Sequence, residues 1–274
     1  MEALCGLCPH QCRLKEGGLG FCGARQNQGG RIVDRYYGLL SALALDPIEK
    51  KPLRHYYPGQ FILSAGFYGC NFRCPFCQNH GISQLAGRGE PPSGLPLSPE
   101  ELCEKAVEQG SFGIAYTYSE PLIHYEYLLD CAREARRRGL KNVLVTNGCL
   151  TQGPAEKLLP WIDAANVDLK SFNPDFYREE LKGDLETVKN FIRLAWDKIH
   201  LEVTTLIIPG KNDGADEVFR LSGFLASLSP RIPLHLSAYF PRYHYTLPPT
   251  SRQSLFRLTR EARKNLAFVH PGNI

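Results

Sequence analysis

Upstream of about residue 60, apolar positions come in short pieces broken by glycine, proline and charge, as in Arg31-Ile32-Val33-Asp34-Arg35-Tyr36-Tyr37-Gly38. That pattern predicts a small strand or two, then a proline-punctuated connector through Asp46-Pro47-Ile48-Glu49-Lys50-Lys51-Pro52-Leu53. From Phe61 onward the rhythm changes, and apolar runs alternate with amphipathic stretches. Residues 61–67, 113–118, 142–146, 164–169, 200–208 and 232–237 read as buried strands. Between them, helices are predicted over 98–110, 121–138, up to Trp161, from Asn173-Pro174, over 213–228 and over 249–265. The first of these carries its own start signal, with Ser98 as N-cap, Pro99 in the first turn, Glu101 to close a capping box and Gly110 to end it. Strands alternating with helices give an α/β chain with a parallel sheet. Six such units predict a partial (β/α)6 TIM-type barrel over 59–274, preceded by a cysteine-rich extension and connector over 1–58. In barrels of this kind chemistry sits beyond the C-terminal ends of the strands.

Length and charge change that picture only a little. At 274 residues and 43% hydrophobic content the chain buries a sizeable core. Lys and Arg exceed Asp and Glu by 32 − 28 = 4, which gives no indication of nucleic acid. No run approaches the roughly 18 apolar residues of a membrane span. Met1-Glu2-Ala3-Leu4 leads straight into cysteines, so a cytoplasmic protein is expected.

The cysteines change it a great deal. Seven of the ten fall into two clusters, while Cys103, Cys131 and Cys149 stand singly, as buried free thiols do. Cys70, Cys74 and Cys77 follow the first strand with the spacing Cys-x3-Cys-x2-Cys. One loop of that spacing holds three corners of a cubic iron–sulfur cluster and leaves one iron open to a ligand that is not protein. A zinc loop is the alternative, but structural zinc usually arrives on paired Cys-x2-4-Cys units. The other cluster is Cys5, Cys8, Cys12 and Cys22, set among glycines and prolines and too small to hold itself by apolar burial. Four thiols converging there predict a second metal site, either zinc or an auxiliary iron–sulfur cluster. His10 is available as a substitute ligand and is not needed.

Polar residues also gather at the predicted strand ends: Ser119-Glu120-Pro121, Thr146-Asn147-Gly148, Asp168-Leu169-Lys170 and Thr204-Thr205. Any one of them is explained as a turn former or helix cap. Their agreement at successive strand ends is explained by one rim.

The three-cysteine loop, with Phe76 before its last cysteine, resembles the radical S-adenosylmethionine (SAM) superfamily. Tyr118-Ser119-Glu120-Pro121, Thr146-Asn147-Gly148, Asp168-Leu169-Lys170 and Ile208-Pro209-Gly210-Lys211-Asn212-Asp213 narrow the likeness to glycyl-radical-enzyme activases such as pyruvate formate-lyase activating enzyme. The Cys-x2-Cys-Pro-His-x-Cys element, Asp46 to Pro52 and Ala164 to Lys170 look most similar to the radical SAM component of the AmmeMemoRadiSam system. The resemblance implies a [4Fe-4S] cluster on Cys70, Cys74 and Cys77, SAM on the open iron, and reductive cleavage to a 5′-deoxyadenosyl radical that abstracts hydrogen. It puts Ser119 and Glu120 at the SAM amino group, and Thr146, Asn147, Asp168 and Lys170 along the sugar and carboxylate, with Phe76 and Thr204 also at the cofactor. It implies an electron donor such as flavodoxin or ferredoxin, and Memo-like and AMMECR-like partners. Val145 stands where the activases have a cation-binding aspartate, and His235-Leu236-Ser237-Ala238-Tyr239-Phe240-Pro241 lacks the family's Arg and second His. A cysteine pair usual near the C-terminus is missing after His270-Pro271-Gly272. A lid is expected in the Gly/Pro-rich stretch 87–96. The other class of function, a metal or cluster carrier without SAM chemistry, needs the cysteines but not Glu120, Asn147, Asp168 or Lys170.

Overall fold

The computed structural model describes residues 1–85 and 93–274. Its centre is one eight-stranded sheet in which spatial order follows chain order. The strands are β1 (Ala42–Pro47), β2 (Phe61–Gly66), β3 (Gly113–Thr117), β4 (Lys141–Thr146), β5 (Ala164–Asp168), β6 (His200–Ile207), β7 (Leu234–Ala238) and β8 (Val269–Gly272). From β2 to β8 every pairing is parallel, and β1 runs antiparallel to β2. Helices α1 (Pro99–Glu108), α2 (Tyr125–Arg137), α3 (Gln152–Leu158), α4 (Leu185–Ala195), α5 (Ala215–Leu228) and α6 (Arg252–Ala262) alternate with the strands from β2 to β8. The chain is thus a partial TIM-type barrel of six β/α units, extended by a strand at each edge.

The two added strands lie where the sequence pattern predicts no barrel strand. Val269-His270-Pro271-Gly272 has one aliphatic residue, and its proline, which has no N–H to give, is tolerated because β8 is an edge. Strand β1 falls in the expected connector and pairs along its whole length with β2, from Ala42 opposite Gly66 to Pro47 opposite Phe61. That pairing crosses residue 58.

Side chains alternate across the sheet. On the outer side Leu63, Ile114, Tyr116, Leu144, Val167 and their like pack under the helices in the main core. On the inner side Ile62, Ala115, Val143 and Ala164 meet Ile48 and Leu53 from the segment between β1 and β2, all fully buried. This segment also receives Asn166 Nδ2 on Pro52 O, and its Arg54 and His55 amides donate to Glu202. The connector therefore plugs the barrel's interior.

Helix α1 starts as its sequence predicts: Ser98 accepts from the Glu101 amide at 3.2 Å and Glu101 accepts from the Ser98 amide at 2.7 Å. The helix predicted from Asn173 is interrupted. Phe176–Leu181 forms a π-helical segment, Lys182 takes φ +55° and α4 restarts after Asp184, which accepts from the Thr187 amide at 2.7 Å. Gly183 lies in the break because a Cβ there would overlap the Phe72 ring. The N-terminal region adds the antiparallel pairs Ala3–Leu4 with Arg13–Leu14 and Arg25–Gln28 with Arg31–Asp34. Of the stretch expected as a lid, 87–92 lies outside the described residues, and Leu95–Pro96 pairs with Leu39–Leu40.

Candidate active site

Strand β2 delivers the chain to a loop whose course is set by backbone bonds and buried rings. Arg73 N donates to Leu181 O at 2.7 Å, and Cys77 N to Cys74 O at 3.2 Å. Phe72 is fully buried, edge-on to Tyr177, and Phe76 stacks at 6.4 Å on Phe176. With these rings packed against Tyr177 and Phe176, the loop turns Cys70, Cys74 and Cys77 into a cleft of about 430 Å3. All three are free thiols.

Of the expected cofactor residues, Phe76, Ser119, Glu120, Asn147, Asp168, Lys170 and Thr204 line the same cleft. Thr146 does not: its hydroxyl donates to Glu120 Oε1 at 2.6 Å, from behind. The Asn147 amide donates to Glu120 Oε2 at 2.8 Å and the Leu122 amide to Oε1 at 3.0 Å. Burial raises Glu120 against those three donors, and it settles at about 7. Asn147 Nδ2 donates to Asn71 Oδ1 at 2.8 Å and reaches Cys70 Sγ at 3.7 Å, which ties the end of β4 to the cysteine loop. Across the cleft, Lys170 Nζ stands 3.0 Å from Asp168 Oδ2. Burial alone would lower Lys170, but the Asp168 carboxylate and Cys74 outweigh it and hold the ammonium charged.

The thiols respond to the same surroundings. Burial pushes Cys74 up to about 12 against the charge of Lys170, and raises Cys70, with Glu120 adding to it. Metal binding has to displace those protons.

Two observations test whether this cleft suits a cluster and a polar organic ligand. Three thiols from one loop provide an incomplete donor set, as a cluster with one open iron requires. Ser119 Oγ and Thr204 Oγ1 are buried without a hydrogen-bond partner among the described residues, although both residues face the cleft. Buried hydroxyls are rarely left so, and a ligand with polar groups completes them. The residues fit.

Other residues of the cleft carried no assigned role in the sequence. Lys50 and Pro52 reach it from the plug, Tyr118 and Asn79 from the rim, and Ser237 and Asn273 from the far side. The Asp46-to-Pro52 motif was the available signal for the first two. Asn71 lies inside the cysteine spacing itself, and Tyr177, whose hydroxyl accepts from the Lys170 amide at 3.0 Å, lies on the π-helical segment.

The N-terminal cysteines pack beneath this loop. Cys5, Cys8 and Cys22 are buried and Cys12 half-buried. Burial pushes Cys8 up to about 12, opposed by the His10 amide and aided by its neighbours Cys22, Cys5 and Cys12. Among the described residues no group of three or more His, Cys, Asp or Glu side chains stands where it would hold a metal ion, in this segment or in the Cys70 loop. Among them, too, no helix is long and apolar enough to cross a membrane.

A parallel partial barrel with three thiols of one loop at its mouth is the framework of an iron–sulfur radical enzyme. Residues 66–221 match the Radical SAM superfamily, and the chain belongs to it. It is 41% identical to an uncharacterized protein of Methanocaldococcus jannaschii, over 98% of this chain and 81% of that one. It is 23% identical to the pyruvate formate-lyase-activating enzyme of Clostridium pasteurianum, over 59% of this chain and 68% of the relative. The fold is similar to that of a radical SAM methyltransferase from Sphaerobacter thermophilus, with a TM-score of 0.59 at 16% identity over 79% of this chain and 67% of the other. Membership brings the [4Fe-4S] cluster, SAM and a reductant on which the superfamily's chemistry depends.

Proposed function

We propose that this chain cleaves SAM reductively at a [4Fe-4S] cluster on Cys70, Cys74 and Cys77, and that a protein glycine, a small molecule or a lipid is the hydrogen donor. The bound cluster and SAM supply the electron transfer and the hydrogen-abstracting radical. The chain's own residues bind and orient. Glu120, fixed by Thr146, Asn147 and Leu122, presents a carboxylate to the SAM amino group. Lys170, held beside Asp168, presents an ammonium to the methionyl carboxylate, and Ser119 and Thr204 offer their unpaired hydroxyls. The observation that carries the reading is that these groups and the three thiols share one cleft. A cluster carrier needs the thiols alone.

The presence of Lys50 and Pro52 in the cleft supports the likeness to the AmmeMemoRadiSam component, since the motif that carries it contributes to the site. Memo-like and AMMECR-like partners and a flavodoxin or ferredoxin donor belong to this proposal, as do a cytoplasmic location and an N-terminal metal, zinc or cluster, on Cys5, Cys8, Cys12 and Cys22.

Anaerobic reconstitution followed by dithionite and SAM tests the activity. The expected products are 5′-deoxyadenosine and methionine. Protein loaded with about four irons per chain that forms neither is a carrier, and the reading fails.

A further inference from the structure

Phe21 and Arg73 stand 52 residues apart in sequence and in contact in the fold. Phe21 lies between Cys12 and Cys22, and Arg73 lies between Cys70 and Cys74, so this contact joins the two cysteine segments. The approach is close: Cys70 N donates to Cys22 O at 3.3 Å. Gly69 permits it, with φ +81°, because a Cβ there would stand 2.5 Å from Cys22 O.

Arg73 turns away from the cleft toward the N-terminal segment. Its Nη1 donates to Cys70 O at 2.8 Å and Phe72 O at 3.0 Å, and its Nη2 donates to Phe21 O. The guanidinium carbon lies 4.0 Å from the centre of the Phe21 ring. That ring stacks on His10 at 4.0 Å, and His10 Nε2 is 2.9 Å from Asn71 O, so the junction is closed from both sides. The Phe21 amide in turn points at Cys12 Sγ at 3.4 Å. These hydrogen bonds of the guanidinium all go to backbone carbonyls, and no carboxylate among them cancels its charge. The half-buried cation is less screened there than at the surface.

We propose that Arg73 is a positioning residue that locks the N-terminal cysteine segment onto the Cys70 loop, and that its charge favours the more negative, reduced state of the group held by that loop. The inference rests on reading Cys70, Cys74 and Cys77 as cluster ligands. Geometry and charge are separable: Lys at this position keeps the charge but loses the fork that spans three carbonyls, and Gln loses both.

The experiment compares wild type, Arg73→Gln and Arg73→Lys by amide hydrogen exchange and by redox titration of the reconstituted protein, followed by electron paramagnetic resonance. In Arg73→Gln, exchange over residues 5–23 rises roughly tenfold or more, and the cluster midpoint moves to lower potential. In Arg73→Lys, exchange rises while the midpoint stays near that of wild type. Wild-type exchange over residues 5–23 in both variants overturns the lock, and an unmoved midpoint in Arg73→Gln overturns the role of charge. Exchange is also read on metal-free protein. A chain that never assembles a cluster thus fails the proposed function through the titration, while exchange still decides the lock.

Discussion

Lys170 has a side chain 16% exposed, and its partner Asp168 one 36% exposed, so the pair faces the cleft from a largely dry wall. Removing the ammonium as Lys170→Ala takes one charge-assisted bond from SAM and leaves Asp168 facing its carboxylate. A loss of about 1.5 to 3 kcal/mol follows, or roughly ten- to a hundredfold in Kd. Iron content should not change, because the thiols are untouched. Calorimetric titration of the iron-loaded variant with SAM measures it, and wild-type affinity would remove Lys170 from the site. Cys8→Ser addresses the other cysteine set. With zinc there, the variant loses zinc and keeps the wild-type resonance spectrum of the reduced protein; with an auxiliary cluster, about four irons and a second signal disappear. Full retention of metal sinks both. Residue types at strand ends made most of the cleft legible in the sequence, because a parallel barrel sends every such end to one rim. Thr146 stands apart within that logic, since strand position fixes the rim but not the direction of a side chain that finds Glu120 behind it.

At the scale of elements, the strands with dense apolar runs were legible, as was the capped start of α1. The edge strands were not. Strand β1 alternates small and large residues and ends Asp46-Pro47, and β8 has a single aliphatic residue, Val269; each is held by one neighbour, so neither needs a two-sided apolar pattern. The π-helical segment was equally hidden, because the sequence predicts one helix starting at Asn173-Pro174, while Gly183 in the break lies against the ring of Phe72, which is far off in the chain. That contact gives a prediction. Gly183→Ala must displace the Phe72 ring, at a cost of about 1 to 3 kcal/mol for overpacking. Phe72 shares the loop with the three thiols, so cluster loading should fall together with thermal stability. Calorimetry and iron analysis of the reconstituted variant check this. A variant that is less stable and yet loads iron fully would show that the ring does not position the loop.

The whole molecule closes at the end of the barrel opposite the thiols. There Glu202, fully buried, accepts from the Arg54 and His55 amides and lies 2.9 Å from His200 Nε2 and 2.6 Å from His235 Nε2. His55 Nε2 and His270 Nε2 are 2.8 Å apart, so the plug is fastened both to β6 and to the edge strand β8. One of two imidazoles at that distance must accept, and a neutral His270 can do so. Burial lowers His270 to about 4, with His235, His55 and Arg54 adding to it. Burial would raise Glu202, but His200, His235 and the His55 amide outweigh it and hold it at about 2. Both depressed values have the same sign. The unfolded chain takes a proton at His270 near 6.5, before the folded one does, so this contribution is complete above that pH and is lost as pH falls to about 4. Glu202 acts lower, from about 4.5 down to about 2. His124, raised by Asp34 against its burial, has its own change above 6.5 and does not enter the window. Glu120, raised to about 7, acts the other way in nearly the same window, because the folded chain takes that proton first as pH falls. Metal-free His270→Gln should therefore gain thermal stability relative to wild type as pH falls from about 6.5 to about 4. Equal slopes in the two proteins would mean that the fastening of plug to edge strand does not depend on a neutral His270.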